Sequence, residues 1–177
     1  MRVLVAFASR HGATAELAEW IGAALRDDMA RAGWSAQVDV RAAHDVRTVE
    51  GYDAVVVGSA VYLGRWLEDA RRLVDRHAAA LSAVPVWIFS SGPLGAPPAP
   101  AASPNTTAPV LSRIAPVGER VFTGRLEPAG LGPVERAMSR AVKAPAGDWR
   151  DRDAVRAWVA EIGGALRMHP ARGHAPA

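Results

Sequence analysis

Apolar positions fall along this chain in two alternating patterns. Short continuous runs, namely Val3-Leu4-Val5-Ala6-Phe7-Ala8, DAVVVGS at 53–59 and PVWIFSS at 85–91, have no polar alternation. Runs of this kind suit strands covered on both faces, as in a parallel sheet. WSAQVDV at 34–40 and residues 118–125 read as two further strands, and 2–8 as the first. Between them the apolar positions recur at helical spacing. Leu17, Trp20, Ile21, Ala24 and Leu25 make a stripe over 13–32, closed by Gly33 at a C′ position. Leu67, Ala70, Val74, Ala78 and Leu81 do the same over 66–81, and Val155, Trp158, Val159, Ile162 and Leu166 over 150–167. Another helical stretch falls near 132–143, and a loop rich in Pro and Ala runs from Gly92 to about Pro104. The prediction is an α/β fold: a doubly wound, five-stranded parallel sheet of order 2-1-3-4-5 with helices on both faces. One domain is expected over 1–167, with a frayed tail at 168–177.

Ligands of such sheets bind at the carboxyl ends of the strands, beside the point where the winding reverses. Three loops fall there: Ser9–Thr14, Ala60–Gly64 and Ser90–Leu94. In the first, Ser9-Arg10-His11-Gly12-Ala13-Thr14 stops a strand and opens a helix. The backbone N–H groups of Ala13 and Thr14 then meet the positive end of a helix dipole, a place that favours phosphate. Gly12 lets the backbone come close, Ser9 and Thr14 add hydroxyls, and Arg10 adds charge at the rim. The plain structural alternative is a strand–helix turn in which Ser caps the helix. In the second loop, Ala60-Val61-Tyr62-Leu63-Gly64, Tyr62 can cover a planar ring. Trp66, just beyond, reads as the opening of the next helix, packed on the sheet. The third, Ser90-Ser91-Gly92-Pro93-Leu94, offers backbone donors and acceptors to the edge of a heterocycle.

Composition narrows the field. The chain has 177 residues, 50% hydrophobic and 22% charged, ordinary for one globular domain. Net charge is +3, and Lys143 is the sole lysine among 21 basic residues. Arginines interleave with acids, as in LEDARRLVDRH, so they read as solvated helix faces and not as a nucleic-acid stripe. The Arg-rich helices leave peripheral contact with a membrane surface open. The absence of cysteine removes disulfides, thiolate metal sites and a cysteine nucleophile. No apolar run approaches the roughly 18 residues of a membrane-spanning helix, and the cytoplasm is the expected compartment. Asn105-Thr106-Thr107 matches a glycosylation sequon but carries little weight without an export signal.

The three loops together resemble the flavodoxin family. Its phosphate loop has hydroxyl residues, then Gly, one variable residue and Thr, which Ser9, Gly12 and Thr14 match. His11 departs where a hydroxyl is usual, and Ala13 where a polar residue is frequent. The resemblance covers roughly residues 1–167. Within the family the chain looks most like the menaquinone-dependent protoporphyrinogen oxidase branch, on YDAVVVGSAVYLGRW, the VFTGRL strand and the GDWRDRDAVRAWVAEI helix. The Pro-rich 96–104 segment lies where that branch has an extended loop of different composition. The resemblance implies a flavoprotein oxidoreductase holding FMN by its phosphate in Ser9–Thr14 and by its ring between Tyr62 and Ser90–Leu94. Redox chemistry would belong to the flavin, with N5 the hydride acceptor and no catalytic side chain. A deazaflavin in place of FMN, and a small-molecule or redox-protein electron donor or acceptor, are compatible with it.

Two other readings compete. A non-enzymatic electron carrier has the same fold, but such carriers are usually strongly acidic, and this chain is +3. The SRHGAT hexapeptide also resembles the Arg-His-Gly-x-Thr start of the histidine phosphatases, with His11 as phosphoryl acceptor. That mechanism needs a second histidine, and His44, His77, His169 and His174 provide no convincing partner motif. No G-x-G-x-x-G, P-loop, H-E-x-x-H or nucleophile-elbow motif is present.

Overall fold

The computed structural model describes residues 1–92, 104–126, 132 and 146–168. Its main sheet carries five parallel strands: β1 (Arg2–Ala8), β2 (Gln37–Ala42), β3 (Ala54–Tyr62), β5 (Val86–Ser91) and β6 (Gly118–Phe122). Their order is β2-β1-β3-β5-β6, the predicted 2-1-3-4-5 arrangement of the parallel strands. A short antiparallel strand, β4 (Arg65–Trp66), is added to the end of β3. A separate two-stranded ribbon joins β7 (Arg125–Leu126) to β8 (Gly147–Asp148). The helices are α1 (Ala13–Arg31), α2 (Glu68–Leu81), α3 (Pro104–Leu111) and α4 (Arg152–Met168).

Alternate side chains of each central strand feed two cores, which is why the runs read as continuously apolar. Val3, Val5, Ala54, Val56, Trp87 and Phe89 face α1 and α4, where Leu17, Ile21, Leu25, Trp158 and Ile162 meet them. Leu4, Ala6, Val55, Val57, Val86 and Ile88 face α2, α3 and the β2–β3 crossover. Phe89, Phe122 and Trp158 form a triangle of edge-to-face rings with centroids 5.6 to 6.1 Å apart.

Gly33 closes α1 as predicted. At φ +75 it donates to the Ala30 carbonyl at 3.0 Å, while Trp34 N donates to the Met29 carbonyl at 2.9 Å. This pair of bonds is a Schellman closure. Several boundaries differ from the sequence reading. The second strand sits at 37–42 and not 34–40, and the fifth ends at Phe122, its expected last residue passing into β7. Trp66 belongs to β4, and α2 starts two residues after it. Helix α3 lies just past the expected Pro-rich loop, in a stretch given no element, and contains Pro109. The helix expected near 132–143, residues 93–103 and the tail beyond Met168 lie outside the described residues. Among the described residues no helix is long and apolar enough to cross a membrane.

Candidate functional site

Strand register brings the three predicted loops together. Ala8 pairs with Ser59, and Ser59 with Ser90, so β1, β3 and β5 end side by side. The chain winds from β1 to β2 on one side and onward to β3 on the other, so the first two loops flank the switch point.

The turn after β1 has an unfilled hydrogen-bonding demand. Gly12 is the N-cap of α1 at φ +83, a left-handed conformation that disfavours any side chain. A Cβ placed there would have nothing within 4 Å, so the glycine serves the turn's backbone and relieves no crowding. The serine cap of the plain structural alternative is not formed: α1 has no side-chain cap hydrogen bond. Ser9 Oγ is instead buried without a hydrogen-bond partner, one of three such side-chain atoms among the described residues. Buried hydroxyls usually find a partner, so this turn keeps an unused hydroxyl beside helix N–H groups that no side chain caps, an arrangement chemically suited to an anion. Thr14 is buried in the first turn of α1, while Arg10, His11 and Gly12 are exposed and Ala13 is half-buried.

Ala60, Val61 and Tyr62, expected in a loop, form the last residues of β3. The loop itself shrinks to Leu63-Gly64, a two-residue hairpin turn between Tyr62 and its partner Arg65. Both turn residues have positive φ, +51 at Leu63 and +72 at Gly64, the signature of a type I′ turn. Leu63 is 70% exposed at its tip. Beneath it Trp66 is buried and donates from Nε1 to Ser90 Oγ at 2.9 Å. Ser59 Oγ donates to the Ala60 carbonyl at 2.8 Å and accepts from Leu67 N at 2.9 Å. The second and third loops are therefore stapled together by buried polar side chains, and Ser90 is spent on structure. The Arg10 guanidinium lies 4.5 Å above the Tyr62 ring, linking the first loop to the second.

In the third loop Ser91 is buried at the end of β5, and Gly92 N donates to the Phe122 carbonyl at 3.3 Å. A Cβ on Gly92 would come within 3.2 Å of Val61. Pro93 and Leu94 lie outside the described residues. Residues after β6 complete the wall: Gly124 packs on the Gly92 backbone, its carbonyl accepts from Trp149 N at 3.2 Å, and Thr123 Oγ1 donates to the Trp149 carbonyl. Thr123 and Gly124 fall in the VFTGRL run expected as strand and are not among the expected site residues; the structure ends β6 at Phe122 and turns them toward Trp149.

The larger omission is a charge cluster against the first turn of α1. The Arg150 side chain is 3% exposed and pairs with Asp148 and Glu16, and Arg125 also pairs with Glu16. The hydrogen bond from Arg150 holds the Asp148 carboxyl below its ordinary range, against the opposing effect of burial. Burial by itself would raise Glu16, but hydrogen bonds and charge from Arg150 and Arg125 outweigh it and pull that carboxyl down. Arg150 is held the more firmly protonated, chiefly by Asp148. Of the other histidines described, His44 faces Asp45 and Asp69, and His77 lies in α2, so neither joins His11. No group of three metal-ligating side chains occurs among the described residues.

This is a doubly wound α/β protein with an anion-suited turn at its switch point. Residues 4–153 match the flavodoxin domain family, and the chain belongs to it. A 92-residue stretch is 28% identical to protoporphyrinogen IX dehydrogenase [quinone] of Escherichia coli K12, covering 51% of this chain and 48% of that protein. The chain thus matches about half the length of that relative. Among solved structures, an archaeal flavodoxin superposes with a TM-score of 0.59 at 16% identity, covering 94% of this chain and 99% of that one. An oxidoreductase of Corynebacterium diphtheriae gives 0.60 at 16%, covering 96% and 98%. Rubredoxin oxygen:oxidoreductase of Desulfovibrio gigas gives 0.61 at 12%, covering 94% of this chain but 36% of that one. At these identities the superpositions establish the fold.

Proposed function

We propose that the chain binds FMN across the three strand ends and works as a flavodoxin-type oxidoreductase. The observation that carries this reading is the orphaned Ser9 hydroxyl beside the uncapped N-terminus of α1. A phosphate monoester, with close to two negative charges and several acceptor oxygens, satisfies both at once. Ser9, Gly12, Ala13 and Thr14 would hold the phosphate, and His11 would stand at the rim. Tyr62 and the Leu63-Gly64 turn would border the ring on one side, and Ser91–Gly92 on the other. FMN, when bound, supplies the electron-accepting and electron-donating chemistry. The protein fixes the ring's orientation and keeps water from the faces it covers. The partial likeness to a quinone-linked protoporphyrinogen dehydrogenase supports a quinone-coupled or porphyrinogen-like substrate, and the +3 net charge fits an acidic carrier poorly.

Titrating the purified chain with FMN is expected to quench flavin fluorescence and raise the melting temperature. No quenching and no thermal shift at saturating FMN would sink the assignment. A parallel titration with a deazaflavin identifies the ring preferred. Thr14→Val is expected to weaken FMN binding by roughly 1–3 kcal/mol, and an unchanged affinity refutes a phosphate contact there. Turnover of protoporphyrinogen with a quinone panel then separates an oxidase from a carrier.

A further inference from the structure

Four charges from separated parts of the chain meet behind the first turn of α1. Arg150 is the hub. Its Nε and Nη2 donate to the two Asp148 oxygens at 2.8 and 2.7 Å. Its Nη1 donates to Glu16 Oε2 at 2.9 Å and to the Ala13 carbonyl at 3.3 Å. Arg125 donates to Glu16 Oε1 at 2.7 Å. Trp20, further along α1, stacks against Arg150 at 4.8 Å and Arg152 at 4.2 Å.

The placement of these charges runs against the helix alone. A guanidinium almost removed from water sits at the positive end of the α1 dipole, where a cation is disfavoured. Glu16 lies four residues past the Gly12 N-cap, and its backbone N–H bonds the Gly12 carbonyl at 3.0 Å. Unpaired, its carboxylate would repel a phosphate resting on the same turn. With both arginines in place, each oxygen of the Glu16 carboxylate is paired with a guanidinium, and the positive end of the helix faces the turn without an uncompensated Glu16 beside it.

We infer that Arg150 is a positioning residue for the phosphate end of the cofactor. It anchors the first turn through the Ala13 carbonyl and, with Arg125, cancels Glu16, so that the Ser9–Thr14 turn selects a flavin bearing a phosphate over one without it. This rests on the FMN reading above. Glu16 is then the residue that sets how strong the selection is.

The test compares dissociation constants for FMN and for riboflavin, which shares the ring and lacks the phosphate. Wild-type protein should prefer FMN. Arg150→Gln should weaken FMN about tenfold and riboflavin less than about twofold. Adding Glu16→Gln to Arg150→Gln should restore most of the preference, because the uncompensated acid is gone, and Arg150→Lys should retain part of it. Glu16→Gln alone should tighten FMN by about threefold to tenfold and leave riboflavin unchanged. The Glu16 side chain is 43% exposed, so the variant decides the matter even where Arg150→Gln fails to fold. Thermal shifts of the flavin-free variants with inorganic phosphate should rank in the same order. A wild-type protein that binds both flavins equally, or neither, overturns the FMN reading and this inference with it. A wild-type preference for FMN that Glu16→Gln leaves unmoved, with Arg150→Gln losing both flavins equally or misfolding, overturns this inference alone.

Discussion

At the scale of single residues, two positions carry a cost that local structure does not recover. Ser9 buries a hydroxyl with no partner, which costs about 1–3 kcal/mol. Leu63 holds φ +51 at an exposed hairpin tip, where type I′ turns favour Asn or Gly. Both flank the proposed cofactor site. Ser9→Ala is therefore expected to stabilise the flavin-free chain by about 1 kcal/mol while weakening FMN binding by a similar amount. Urea midpoints and FMN titrations on the same samples check the two signs. A serine that stabilises the flavin-free chain would mean that its hydroxyl is satisfied within the protein. Leu63→Asn should gain about 1 kcal/mol in the same denaturation experiment, because asparagine tolerates the left-handed region that strains leucine.

At the scale of elements, the β3–β5 pair fixes the position of the site, and its weak point is space. A Cβ on Gly58 would lie 2.0 Å from Phe89 Cζ, inside the ring triangle with Phe122 and Trp158. Gly58→Ala should cost about 1–3 kcal/mol, since the ring is locked and a whole core layer must shift. A melting temperature within a degree of wild type would show that the ring moves freely. β1, β3 and β5 were legible in the sequence because strands buried on both faces must be apolar at every position. α1 and α4 were legible because one stripe meets the core, and Gly33 marked the end of α1 because its φ suits few other residues. β4, β7 and β8 were not legible. Two-residue ladders are too short to show a period, and they form only where an existing strand or partner receives them. Helix α3, with Thr107 and the internal Pro109, lacks local propensity, and tertiary packing of Val110 and Ile114 sustains it. The strand-end loops were legible through topology, whereas Ala60–Tyr62 read as loop because β3 outruns its apolar run. Nothing local distinguishes Arg150 from its neighbouring arginines, and its partner Glu16 lies 134 residues away.

At the scale of the whole molecule, these charges make stability depend on pH in two steps of the same sign. His77, at a kink in α2, has a buried Nε2 with no partner among the described residues. Burial lowers its pKa from the ordinary 6.5, the nearby Arg76 adds to this, and Glu50 and a hydrogen bond to the Val46 backbone oppose it. The unfolded chain then takes up a proton that the folded chain resists, so this contribution is present above pH about 6.5 and is lost as pH falls through the depressed value. Asp39 is held low chiefly by the hydrogen bond from Tyr52, and Asp148 by that from Arg150. Glu16 stays low because its two arginines outweigh its burial. Their ordinary values are 3.8 for the aspartates and 4.5 for the glutamate, so their contribution is present above those values and disappears as pH falls through the lowered ones. Urea midpoints should therefore be flat from pH 8 to about 7, fall through the histidine range, and fall again below about pH 4.5. His77→Gln should flatten the upper step and leave the lower one, and Asp148→Asn should reduce the lower step only. An upper step that survives in His77→Gln would assign it to another group and leave the kink in α2 without a role in the pH response.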